Sequence, residues 1–298
     1  MKQDYRQLLQ PKIINRISGL SLIARVIVDG YLAGINRSRR VGAGLEFSQY
    51  RGYQSGDDMR LLDWRMLARS GRYYVKQSEI ETHISVKFIV DASRSMLHTE
   101  NGLSKLDYVK VLTASLAHLA QNQGDAVGLY VLNDQKIKSL HPVVQKQGYQ
   151  RFLHELIGIQ AEGKWPEQNL ALNRLQSRGR KELLFFITDM YERNAELTSL
   201  VKSLKTKRNE VVVFQIMGNI EMAFDYKDYI IFEDLETGAK VKVDAKVAAE
   251  EYLNALSQMM ANTKDELLTH GIGHHLFTLD APIGEALQLF LKQRNFLM

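Results

Sequence analysis

A doubly wound α/β domain with a mostly parallel sheet, preceded by a helical and basic N-terminal extension, is the fold class this sequence predicts. Three observations predict it. From residue 84 onward, short apolar runs of strand length alternate with longer segments of helical period, the pattern of parallel strands with helices on both faces. The runs are continuous rather than alternating, as strands buried on both faces require. Two of the most apolar runs end on an acid, Asp91 and Asp189, at the strand ends where open α/β sheets form their ligand crevice.

Each element follows in order. The first strand spans residues 86–91. A helix over 104–123 carries Leu106, Val109, Leu112, Leu116 and Leu119 at helical spacing and stops at Gly124. Strands at 126–132 and 137–140, joined by Asn133-Asp134, read as a hairpin at the sheet edge. Helices at 149–159 and 167–176 flank Gly163-Lys164-Trp165-Pro166, and the strand 183–189 follows. Then come a helix at 195–205, a strand at 211–217 and a polar hairpin over 229–243 turning at Glu236-Thr237-Gly238. A long helix at 245–269 ending by Gly271, a strand at 274–279 and a helix at 283–293 complete the domain. Residues 1–83 read as an extension packed on it, with helices near 5–17 and 20–35 and then a glycine- and arginine-rich stretch.

The first strand leads into Asp91-Ala92-Ser93-Arg94-Ser95, one carboxylate and two hydroxyls at spacing two. Hard cations take oxygen ligands in near-octahedral geometry, so this set suits Mg²⁺ or Mn²⁺ better than zinc. Asp189, ending another central strand, converges on the same crevice. The competing reading is local: Asp91 and the serines cap the following turn through bonds to the backbone.

Composition narrows the function classes. The chain has no cysteine, which removes disulfides, thiolate zinc sites, iron–sulfur clusters and cysteine nucleophiles. Residues 1–80 hold 14 Lys/Arg and 7 Asp/Glu against 25 and 27 in the remainder. The basic part therefore either packs on the acidic body or meets an acidic partner; nucleic-acid binding is not expected without interleaved aromatics. Asp4, Arg6, Lys12 and Arg16 interrupt any signal-peptide core, and Arg25 with Asp29 at i,i+4 marks 17–35 as a soluble amphipathic helix. A cytoplasmic protein without a membrane span is expected.

The acid and hydroxyl spacing, with Asp189, resembles the metal-ion-dependent adhesion site of von Willebrand factor A domains, which have a Rossmann-like topology. The resemblance implies that Ser93 and Ser95 coordinate the cation, that Asp91 and Asp189 act directly or through water, and that a partner's carboxylate completes the shell. The family usually adds a threonine from a loop before a helix. The corresponding residues 162–169 contain no threonine or serine, which leaves Gln168, or its neighbours Glu167 and Asn169, as the substitute oxygen ligand, or leaves a weakened site.

Upstream lie Glu46-Phe47, Tyr50-Arg51-Gly52-Tyr53, Gly56-Asp57-Asp58-Met59-Arg60, Leu62-Asp63-Trp64 and Ala68-Arg69. This spacing resembles the signature of bacterial domain-of-unknown-function family fifty-eight, whose von Willebrand A-like members commonly accompany MoxR-type AAA+ ATPases. The charged residues Asp57, Asp58, Arg60, Asp63 and Arg69 are read as a network fixing the extension, with Trp64 as its apolar anchor, or else as a docking surface for the ATPase.

Enzyme signals are poor. A haloacid-dehalogenase-type phosphatase wants a second acid where Ser93 stands, no Gly-x-Ser-x-Gly elbow or P-loop is present, and Gly42-Ala43-Gly44 is too short for a dinucleotide fingerprint. His270, His274 and His275 do not form an expected ligand set, since His270 falls at a helix C-terminus. The expected function is a non-enzymatic protein-interaction module, metal-assisted through Mg²⁺ or Mn²⁺, working with a MoxR-type ATPase on an unidentified client in assembly or maturation. The other readings are a metal-dependent hydrolase using Asp91 and an adaptor with a non-functional metal site.

Overall fold

The structure, a computed structural model, describes residues 8–39, 50–54, 59, 62, 64–76, 84–134, 137–144, 146–165, 175, 181–192, 195–226, 228–235 and 238–295. Residues 1–32 and 84–298 form one compact unit and residues 33–83 another. This grouping differs from a single break near residue 84, and the reason is apolar burial. Helix α1 (Pro11–Ile14) and the first part of α2 (Ile17–Arg39) place Ile14, Leu20, Ile23, Ala24 and Ile27 in the main core. The helix expected over 5–17 is, among the described residues, only those four, because Pro11 stands at the helix start and cannot sit inside one.

The smaller unit pairs β1 (Tyr50–Gly52) antiparallel with β2 (Tyr74–Lys76), with α3 (Trp64–Ser70) between them in sequence. Tyr53 N donates to the Tyr73 carbonyl at 3.0 Å and continues that pairing. Leu62 is buried, but Trp64 is 59% exposed and α3 buries no residue. Trp64 therefore does not pack into the interior of the smaller unit itself, and Arg69 lies exposed at the end of the same helix. Gly56, Asp57, Asp58, Arg60 and Asp63 lie outside the described residues.

In the main unit the chain runs β3 (Ser85–Asp91), β4 (Thr99–Glu100), β5 (Leu103–Ser104), α4 (Lys105–Asn122), β6 (Ala126–Leu132), β7 (Ile137–Val143) and α5 (Lys146–Ile157). It continues with β8 (Glu182–Thr188), α6 (Glu196–Leu204), β9 (Asn209–Met217), α7 (Asn219–Ala223), β10 (Tyr229–Glu233), β11 (Lys240–Asp244), α8 (Ala245–Thr269), β12 (Gly273–Thr278) and α9 (Ile283–Asn295). Six strands form one sheet in the order β12-β9-β8-β3-β6-β7. Counted from β3 this is 3-2-1-4-5-6, the doubly wound order, parallel except for β7, which returns antiparallel on β6 at the edge. The fold is the doubly wound, mostly parallel α/β class expected. The helix expected over 167–176 lies outside the described residues apart from Leu175.

Apolar side chains fill both faces of the sheet. Alternate residues of β3 split between them: Val86, Phe88 and Val90 join the core that includes α2, α4, α5 and α9, while Ile89 joins Leu184, Phe186, Val211 and Val213 on the α6 side. On the second face Lys87 is fully buried, its Nζ 2.7 Å from Glu182 and donating to the Leu175 carbonyl at 2.7 Å. A lysine in the centre of a buried strand is tolerated only with such partners.

Candidate functional site

The strand order reverses direction between β3 and β8, so the crevice lies at their carboxyl ends. Asp91 closes β3 with only 2% of its surface exposed. Its Oδ1 accepts from the Ser93 N–H at 2.8 Å and its Oδ2 from the Thr188 hydroxyl at 2.7 Å. The local capping chemistry is thus present, but its side-chain part belongs to Asp91: Ser93 stands at the N-cap of the 3₁₀ turn at Arg94–Leu97 without a capping bond from its hydroxyl. Instead the Ser93 and Ser95 hydroxyls face one another at 2.9 Å, Ser93 buried and Ser95 half-buried.

Backbone bonds hold this turn rigidly. Ala92 N donates to the Leu132 carbonyl at 2.9 Å, Glu162 N to the Ala92 carbonyl at 2.9 Å, and Arg94 N to the Gly163 carbonyl at 3.1 Å. The loop after α5 therefore runs beside the turn, where a von Willebrand A-like site would place its threonine. Gly163 has φ +65° there, and a Cβ on it would overlap the Asp134 carboxylate, so the close approach needs glycine. Gln168, the expected substitute ligand, lies outside the described residues.

Asp189 follows β8 and is 1% exposed. Its Oδ2 lies 3.2 Å from Lys105 Nζ, and its Oδ1 accepts from Tyr191 N at 3.4 Å. Lys105 opens α4, is fully buried, and also reaches Glu221 of α7 at 3.0 Å with its ammonium over the Tyr191 ring at 5.1 Å. Glu221 in turn accepts from Gly218 N at 2.7 Å. Glu100, 5% exposed, accepts from Asn219 N at 2.8 Å and Ile220 N at 2.9 Å, and lies 3.2 Å from His98 Nε2. A polar chain thus runs from the Asp91 turn through Asp189, Lys105 and Glu221 to Glu100 and His98.

The electrostatics follow from this arrangement. Burial, then the charge of Asp189, pushes the Asp91 carboxyl up to about 7 against the pull of its hydrogen bonds to Thr188 and Ser93. Burial works against the Lys105 ammonium, but Asp189 and Glu221 more than offset it, so the proton is held more tightly than on an ordinary lysine. One ammonium therefore serves Asp189 and Glu221, while among the described residues Asp91 has hydroxyl and amide donors.

The hydroxyl pair suits a small hard cation. Adjacent oxygens around octahedral Mg²⁺ with bonds of about 2.1 Å lie about 3 Å apart, and the two serine oxygens are 2.9 Å apart. Among the described residues no three His, Cys, Asp or Glu side chains gather as a metal cage, so any such ion would depend on those hydroxyls. Three members of the site escaped the sequence reading: Thr188, Lys105 and Glu221. Thr188 stands next to Asp189 and was open to notice. Lys105 and Glu221 carry no local signal, and Glu221 lies on a five-residue helix that no periodicity marks.

An uncharacterized protein of Mycobacterium tuberculosis, Rv1480, is 28% identical over 123 residues, 41% of this chain and 39% of its own length. The chain matches about two fifths of the length of the curated relatives found. Among solved structures, the conserved hypothetical protein BatB of Bacteroides thetaiotaomicron aligns with TM-score 0.47 at 15% identity over 70% of this chain and 98% of that one. The SpRpn10 VWA domain aligns with TM-score 0.37 at 14% identity, over 69% and 94%. Among the described residues no helix is long and apolar enough to cross a membrane. The family model described as protein of unknown function DUF58 matches residues 49–261, well over half of the sequence, and the chain belongs to that family.

Proposed function

We propose that this protein is a non-catalytic interaction module in which Ser93 and Ser95 hold Mg²⁺ or Mn²⁺, with Asp91 and Asp189 contributing directly or through water. When bound, such an ion supplies a localised positive charge that an Asp or Glu of a partner can neutralise. Support comes first from the paired hydroxyls 2.9 Å apart at the mouth of the crevice. Asp91 adds to it, being buried with no cationic partner among the described residues. Around the mouth, Arg94 and Leu97 are exposed and offer a rim for a partner surface. The partner class in this reading is a MoxR-type AAA+ ATPase or its client, carried over from the resemblance of the residue 46–69 signature.

The test is recovery of partners on tagged wild-type protein and on Ser93→Ala and Ser95→Ala variants, with Mg²⁺ or with EDTA. Capture of an AAA+ ATPase that falls at least tenfold with EDTA, and equally in either variant, is the expected result. Capture indifferent to both treatments overturns the metal-assisted reading. Turnover of a phosphate or ester substrate with Mg²⁺ or Mn²⁺ that disappears in Asp91→Asn would make the protein an enzyme instead. Lys105 favours a second reading, an adaptor that works without metal because a lysine already supplies positive charge to Asp189.

A further inference from the structure

Lys105 breaks a local rule. Cations disfavour the first turn of a helix, where the backbone dipole is positive, yet a lysine opens α4 and is buried completely. What holds it there is not the helix. Its Nζ lies 3.2 Å from Asp189 and 3.0 Å from Glu221, partners 84 and 116 residues away in sequence. The two carboxylates differ in setting: Asp189 is 1% exposed beside the hydroxyl turn, while the Glu221 side chain is 13% exposed on α7. An ammonium on a flexible stem can shift its weight between two such acceptors without leaving either.

We propose that Lys105 is the resident cation of the crevice, competing with a divalent ion for Asp189, and that Glu221 is the seat its ammonium takes when the ion binds. This rests on the metal reading above and adds to it the residue that sets affinity. Removing the ammonium frees a buried carboxylate oxygen and deletes a like charge, so the site should bind the ion more tightly. Neutralising Glu221 leaves the ammonium on Asp189 alone, so the site should bind it less well. Generic damage to the fold would weaken binding in both variants, which makes the opposite signs diagnostic.

The experiment is Mn²⁺ titration of the full chain, read by the electron paramagnetic resonance of free Mn²⁺ and by the Mn²⁺-dependent rise in Tm. Wild type, Lys105→Met and Glu221→Gln are compared. At least tenfold tighter binding in Lys105→Met and at least threefold weaker binding in Glu221→Gln are expected. If wild type binds Mn²⁺ and Lys105→Met binds it equally or less well, the competition is overturned while the metal reading stands. If Lys105→Met binds and wild type does not, the resident-cation role holds and the metal reading fails for the native protein. Absence of binding in both overturns both. Should Lys105→Met not fold, Glu221→Gln decides alone: affinity unchanged or tighter overturns the proposal.

Discussion

Gln215, fully buried on β9, links the crevice to the sheet edge. Its Nε2 donates to the Asp189 carbonyl at 3.3 Å, which leaves its Oε1 to accept from His274 Nε2 at 3.0 Å. Burial, then His275 and Lys264, depresses His274 to about 4, so the folded state prefers the neutral ring that the relay uses. A histidine whose folded pKa lies below the unfolded value near 6.5 contributes stability above that value and loses it as pH falls toward 4. His274→Gln, which keeps an amide partner for Gln215, should flatten the fall in Tm over that window. The ceiling is about 3 kcal/mol at 1.36 kcal/mol per pKa unit, and partial exposure of the ring brings the effect below it. Identical Tm-against-pH slopes in the two proteins would show that His274 is not coupled to folding.

At the scale of elements, the small β4–β5 hairpin and α7 are held together by one carboxylate. Asn101 and Gly102 both have positive φ, the Asn-Gly turn that twists correctly between two short strands. That turn presents Glu100 to the first amides of α7. A Cβ on Gly218 would overlap Glu100 Oε1 and come 2.8 Å from His98 Nε2. Gly218→Ala must displace the carboxylate that orders α7 and, with it, the Glu221 seat of Lys105. A loss of about 1–3 kcal/mol in urea unfolding is expected from such overpacking. A loss under about 0.5 kcal/mol, within the range of ordinary surface substitutions, would show that Glu100 does not hold α7 in place.

For the whole main unit, the sheet is closed on one face partly by residues that precede the strands by dozens of positions. Ile23 is fully buried in that core. Lys110 of α4 donates to the Asn15 side chain at 2.8 Å, tying the connection between α1 and α2 to the same helix. Ile23→Ala should therefore cost about 2–5 kcal/mol, as for large-to-small changes in a packed core. Unfolding by urea measures it, and a cost below about 1 kcal/mol would return α2 to the status of a peripheral extension.

Local period carried most of the main sheet and its helices. Runs of apolar residues specify buried strands, helical spacing specifies α4 and α8, and the acids that end β3 and follow β8 mark the crevice because chain order and the handedness of βαβ units leave few other sheets. Asp91, Ser93 and Ser95 were legible for the same reason, lying within five residues of one strand end. Tertiary structure alone decided the rest. It paired Lys105 with Asp189 and Glu221 and turned Thr188 onto Asp91. It also brought α2 into the core and left Trp64 exposed. The physical reason is separation: a hydrogen bond or ion pair between residues about a hundred positions apart has no signature in either segment. It exists only once burial of the apolar runs has brought the two chain segments together.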